Sequence, residues 1–323
     1  MTKLSSRQGP DASLNTVDKT SDRRKIPVIL DTDIGDDIDD MWALGLLLKC
    51  PELDVRLVTG DQGKPDYRAR LLAKFLQTAG RTDVDVGLGL DVNQAGEQPL
   101  GAWIADYRLD EYPGNVHENG VQAIVDTIMQ STEPVTLIGI GPLPNVAAAL
   151  EREPAIAQRA RFVGMHGSVR VGYDGPGNPS AEYNVSADTL SCRQVLNAAW
   201  DAVIAPLDTS GAVHLSGRKY RQVRDADNPV ARALIENYRL WTASQTKPGE
   251  EDPAESRSST LFDTVAIYLS FANSLVKIEE LGIRVTDDGY TLIDSTAKKI
   301  LVATGWKDLS SFEDFLVDRL AGE

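Results

Sequence analysis

Residues 27–49 read "PVILDTDIGDDIDDMWALGLLLK". The first five are an apolar run closed by an aspartate, the pattern of a buried strand, and from Asp39 onward an apolar run of helical length follows. Six of the ten residues between Asp31 and Asp40 are aspartate. Strand, turn and helix in this order open an α/β fold, and in a parallel sheet such a turn lies at the carboxyl end, where ligands bind. Gly35 supplies the backbone freedom of a tight turn. Clustered carboxylates repel one another and resist desolvation. The dipole of the helix starting at Asp39 and Asp40 offsets typically no more than about 1 kcal/mol per group. A hard divalent cation would offset far more, and no soft ligand accompanies these oxygens, which suits Ca²⁺ or Mg²⁺. The competing reading is a solvated acidic loop.

Outward from this unit the pattern alternates. "DVRLVTG", "DVDVGLG", "PVTLIGIG", "ARFVGM" and "DAVIAPLD" are apolar runs of strand length, separated by the helical stretches 66–80, 120–131, 142–153 and 188–200. The alternation predicts an α/β fold with a mostly parallel central sheet and helices on both faces. Residues 228–245 add a helical elaboration, 247–259 a charged loop, 277–306 further strands and 308–322 a last helix. One domain over 26–323, after a polar tail at 1–25, is the simplest division. The tail is read as disordered.

The 323 residues are 42% hydrophobic and 25% charged, with a formal charge of -15, which fits a soluble globular protein and argues against nucleic acid or anionic membrane as partner. No apolar run is long enough to span a bilayer, and the first residues lack the apolar centre of a signal peptide. Cys50 and Cys192 are the only cysteines. That suits a reducing cytoplasm and supplies neither a zinc site nor a disulfide framework.

"VILDTDIGDDIDDMWAL" resembles the amino-terminal signature of the nucleoside hydrolases, calcium-dependent ribohydrolases related to inosine-uridine-preferring enzymes. Later segments are similar to the family's in the same order. "IGIGPLPNVAAAL" resembles its Gly-Pro-Leu-Thr-Asn helix start, "GMHGSV" with "GNPSAEYNVSAD" its Met-Gly-Gly and Ala-Glu-Phe-Asn stretch, and "LFDTVAIYL" its His-Asp-Pro segment. The resemblance implies hydrolysis of the N-glycosidic bond of ribonucleosides to free base and ribose, with Ca²⁺ as cofactor and a nucleoside as small-molecule partner. A homodimer or homotetramer is expected. Carried over residue by residue, Asp33 would ligate the metal and act as general base on its water. Asp40, the carbonyl of Ile140 and Asp263 would complete the metal set. Asp39, Met165, Asn178, Glu182 and Asn184 would hold the ribose. The acidic turn is two residues longer than the family's commonest form, which leaves Asp36 and Asp37 as supporting groups or substitute ligands.

Two residues depart from the pattern. Phe262 stands where many members have the histidine that helps protonate the leaving base; it can stack on a base but has no proton to give. Asp61 stands where relatives commonly have an asparagine beside the catalytic water. Of the three histidines, His166 is the candidate replacement acid, with a structural role as the alternative; His117 falls near a loop that approaches the base in relatives, and His214 reads as peripheral. Trp42 and Trp200 fit core positions, Trp103 and Trp241 border the expected pocket, and Asp188 reads as a helix cap. Phe262 and Asp61 keep a second reading open, a catalytically quiet nucleoside or ribose binder. A phosphatase reading, from the Asp-x-Asp turn alone, is opposed by "AEYN" and "LFDTVA".

Overall fold

The structure, a computed structural model, describes residues 24–92, 97–247 and 249–322. All but the last two residues of the expected polar tail lie outside them. Strands β1 (Ile26–Thr32), β2 (Leu53–Gly60), β3 (Asp85–Gly87), β4 (Val116–His117), β5 (Val135–Gly139) and β6 (Ala160–Gly164) alternate with helices α1 (Asp39–Leu48), α2 (Pro65–Thr78), α3 (Gly120–Gln130) and α4 (Pro144–Arg152). A small hairpin, β7 (Val171–Gly172) and β8 (Gly175–Pro176), then leads to α5 (Tyr183–Ala187), α6 (Thr189–Asn197) and β9 (Ala202–Ile204). Helices α7 (Leu207–Ser210), α8 (Gly217–Arg224), α9 (Pro229–Gln245) and α10 (Thr264–Leu269) follow. The chain closes with β10 (Val276–Val285), β11 (Thr291–Ile293), β12 (Lys299–Trp306) and α11 (Leu309–Ala321).

Ten strands form one sheet in the order β11-β10-β12-β9-β6-β5-β1-β2-β3-β4. All neighbours from β12 to β4 are parallel, and β10 runs antiparallel to β11 and β12. The mostly parallel sheet expected from the alternation is what the chain builds. Val28 and Leu30 of β1 face one apolar core with α1, α2, α9 and α11, while Ile29 faces another with α3, α4 and α6. A parallel strand covered on both faces needs such an unbroken apolar run.

Connectivity places the site. From β1 the chain moves outward through β2, β3 and β4, then crosses back to set β5 on the other side of β1. The loops after β1 and β5 therefore diverge, and a crevice opens at the carboxyl ends of the two strands. The helix expected over 188–200 is preceded by the separate short α5: Glu182 caps α5 and Asp188 caps α6, accepting the Ser191 N–H at 3.0 Å.

Candidate active site

A cavity of about 390 Å³ fills that crevice, a size within the roughly 300–1,000 Å³ usual for small-molecule sites. Its wall brings together Asp33, Asp39 and Asp40 from the acidic turn, Ile140 after β5, Met165 after β6, Glu182 and Asn184 around the start of α5, and Phe262 and Asp263 before α10. These residues are spread over more than 200 positions of sequence.

The turn is held from behind. Gly35 has φ of 103°, and a Cβ there would lie 2.5 Å from Leu71 Cδ1, so only glycine fits. Arg68, fully buried on α2, donates from Nη1 to the carbonyls of Asp33 and Ile34 and from Nε to Gly63 O at 3.0 Å. Its Nη2 reaches Asp36 Oδ2 at 2.8 Å, and Lys64 Nζ reaches Asp36 Oδ1 at 2.8 Å. Asp36 is thereby occupied as a counter-ion, whereas Asp37, beside it on the cavity wall, pairs with no cation among the described residues. Arg68→Met would strand these buried carbonyls and leave Asp36 paired only with Lys64, an expected loss of about 3 kcal/mol. Urea unfolding measures it; an unchanged midpoint would show that the turn is held by other groups.

One ligand atom each of Asp39, Asp40 and Asp263 lies within 4.8 Å of the others, and all three residues are buried. Burial and then the charges of neighbouring aspartates, Asp33 and Asp37 included, push these carboxyls well above the usual aspartate range. Thr32 Oγ1 donates to Asp40 and fixes its orientation. Asp33 borders this group rather than belonging to it. Burial raises Asp33 to about 7, against the opposing guanidinium of Arg68. Asp39, assigned to ribose by resemblance, thus stands inside the closest carboxylate group, and Asp33, assigned to the metal, stands at its edge. Three buried oxygen donors that repel one another, with no thiol or imidazole among them, fit a hard divalent cation.

The sugar side is equally specific. Asn184 Nδ2 donates to Ile140 O at 3.0 Å and Met165 O at 3.1 Å. Both amide hydrogens are then spent, and its oxygen is left as an acceptor. Glu182 accepts the backbone N–H groups of Gly167, Asn184 and Val185 at 2.9, 2.8 and 3.2 Å. Burial still raises it to about 7.

Three expected residues are not brought to the cavity. His166 is fully buried, with Nε2 2.9 Å from Gly141 O, and burial lowers it to about 4. The ring is therefore neutral, its N–H is held by the Gly141 carbonyl, and it stands off the cavity wall, where it is not placed to give a proton to a leaving base. Asp61 is buried behind Asp33, where Oδ2 accepts the Leu143 N–H at 2.8 Å. It orders the loop after β5 instead of facing substrate. A Cβ on Gly141 would come within 2.9 Å of Asp61 and 3.1 Å of Asp33, so glycine lets that loop lie across both. Asn178 is exposed in the loop after β8, outside the cavity wall.

Of the other candidates, His117 pairs with Asp85 at 2.8 Å on β3 and β4. Trp42 and Trp200 are core, and Trp103 bonds Glu236 outside the wall. Trp241 lines the cavity and donates to Asp36 O at 3.2 Å. Tyr173, Tyr183 and Gln245 also line it. Sequence reasoning did not select them; Tyr183 lay within "AEYN" and could have been taken with its neighbours, but the other two carry no local signal.

The family described as inosine-uridine preferring nucleoside hydrolase matches residues 28–312. A pyrimidine-specific ribonucleoside hydrolase RihA of Enterobacter sp. (strain 638) is 32% identical over 233 residues, covering 65% of this chain and 69% of that protein. Among solved structures, a purine-preferring ribonucleoside hydrolase from Gardnerella vaginalis superposes with a TM-score of 0.74 at 21% identity, covering 92% of this chain and 98% of its own. An inosine-uridine preferring nucleoside hydrolase from Bacillus anthracis gives 0.69 at 20% identity over 92% and 99%. At these identities the two structures speak for the fold.

Proposed function

The chain belongs to the inosine-uridine preferring nucleoside hydrolase family, hydrolases acting on N-glycosyl compounds, and from that premise we propose that it cleaves ribonucleosides to base and ribose with Ca²⁺ as its cofactor. The observation that carries this reading is the buried group of Asp39, Asp40 and Asp263 beside Asp33 at the carboxyl end of β1.

Asp40 and Asp263 would hold the ion, with Asp33 and the Ile140 carbonyl on the same wall as further oxygens. Asp39 would serve the ion or the ribose diol. A cation there would lower the pKa of water and orient the ribose hydroxyls. Asp33 takes the proton of the water that attacks the anomeric carbon. The free oxygen of Asn184 and the remaining lone pairs of Glu182 accept ribose hydroxyls, which positions the sugar. The surrounding carboxylates favour the positive charge that develops on the ribose ring. The acting unit is a single domain over 26–323.

A panel of nucleosides assayed for reducing sugar, with and without Ca²⁺, tests the reading; release of ribose from none of them with Ca²⁺ present would leave only a nucleoside-binding protein of this fold. The base preference does not carry over from the relatives, which include pyrimidine-specific and purine-preferring enzymes. Phe262 in place of an acid predicts that substrates rank by leaving-group ability. A 4-nitrophenyl riboside, whose phenolate leaves without a proton, should turn over about 10²-fold or more faster than inosine or uridine. Equal rates in the wild type would mean that an efficient acid exists.

A further inference from the structure

A second cavity, of about 560 Å³, shares Asp37, Trp241 and Phe262 with the first. Part of its wall is aromatic: Tyr238 and Trp241 stack with ring centroids 6.3 Å apart, and Phe262 adds its ring. The rest is polar and is built by two chain segments lying side by side. Ser258 N–H donates to Leu215 O and Leu261 N–H to Val213 O, each at 2.9 Å, and Ser216 bridges Arg257. This pairing brings His214, Arg257 and Ser259 onto the cavity wall. His214, peripheral by sequence, is therefore close to the site.

The polar wall has unused donors. Among the described residues neither the Arg257 guanidinium nor the His214 ring makes a hydrogen bond or ion pair. Arg257 lines the same cavity as the Tyr238, Trp241 and Phe262 rings. A planar group carrying oxygen or nitrogen acceptors would cover the rings and satisfy those donors at once.

We propose that this second cavity receives the departing base as an anion, and that Arg257 takes up its negative charge in place of an acid at position 262. The inference rests on the hydrolase reading above. As the C1′–N bond breaks, its electron pair stays with the base and spreads onto ring nitrogen and exocyclic oxygen. The water oxygen bonds to C1′ and its proton passes to Asp33. The base takes a proton from solvent after release. Charge offset by a guanidinium at the place where charge develops lowers the barrier without proton transfer.

The test is Arg257→Ala, with Arg257→Lys as the conservative variant; Arg257 is exposed, so both should fold, and melting curves check it. Uridine and inosine kcat/KM should fall by about 10²-fold in Arg257→Ala, at least fivefold more than for 4-nitrophenyl riboside, with part of the loss recovered by lysine. Quenching of tryptophan fluorescence by uracil or hypoxanthine should weaken in parallel. Equal losses on all three substrates, or base binding and turnover like wild type, would overturn the role of Arg257 while the hydrolase reading stood. If wild type released no ribose but bound uracil through Arg257, the hydrolase reading would fall and the cavity assignment would remain.

Discussion

Asp33→Asn is expected to lose about 10²–10⁴-fold in nucleoside turnover while still binding ribose. The asparagine keeps an oxygen at the edge of the carboxylate group, so the cavity wall and its sugar contacts persist. It cannot accept the proton of the attacking water. Steady-state kinetics with inosine and uridine, beside calorimetric titration with ribose, separates the two properties. The wild-type carboxyl borders Asp39, Asp40 and Asp263, and the Arg68 guanidinium limits how far burial raises it. Asparagine also removes one negative charge from this group, so the variant should melt higher than wild type in chelator. Turnover close to wild type would exclude Asp33 as the base.

The second large effect is on stability. Three carboxyls with raised pKa values bind protons more tightly folded than unfolded. Folding of the metal-free chain therefore takes up protons, and its stability falls as pH rises from the ordinary aspartate value of 3.8 toward the raised folded values. Calcium binds the ionised oxygens instead, so its benefit should grow over the same window. At a hundredfold its Kd the ion would contribute about 2.7 kcal/mol, a rise of roughly 4 °C in Tm for a chain of this size. Asp263→Ala should abolish most of that rise and, in chelator, melt higher than wild type at neutral pH, having shed one buried charge. Equal wild-type Tm values in Ca²⁺ and in chelator at neutral pH would remove the ion from this site.

Much of the architecture was legible because its code is local. Apolar runs of strand length alternating with helical ones specify parallel strands covered by helices, and the Asp-rich turn after β1 marked the end of the sheet that carries the site. That turn, together with the segments "IGIGPLPN", "GMHGS", "AEYN" and "LFD", supplies most of the cavity wall. His166 and Asp61 lie off that wall for separate local reasons. His166 follows the wall residue Met165, and one residue along a strand end turns a side chain to the opposite face; Asp61 is turned inward by the Leu143 N–H that its carboxylate accepts. Met165 faces the cavity, whereas His166 is buried against Phe162, with ring centroids 5.9 Å apart.

The sequence by itself determined the elements, their order and the family, since each depends on neighbours a few positions apart. The tertiary structure alone decided which charges meet. Arg68 reaches back 35 residues to the Asp33 carbonyl, Asp263 joins Asp39 and Asp40, and His214 and Arg257 share a wall with Phe262. Those meetings follow from the crossover that sets β5 beside β1 and from helices packing across the sheet. Electrostatic and hydrogen-bond partners are chosen by distance in space, and periodicity along a chain carries no record of that distance.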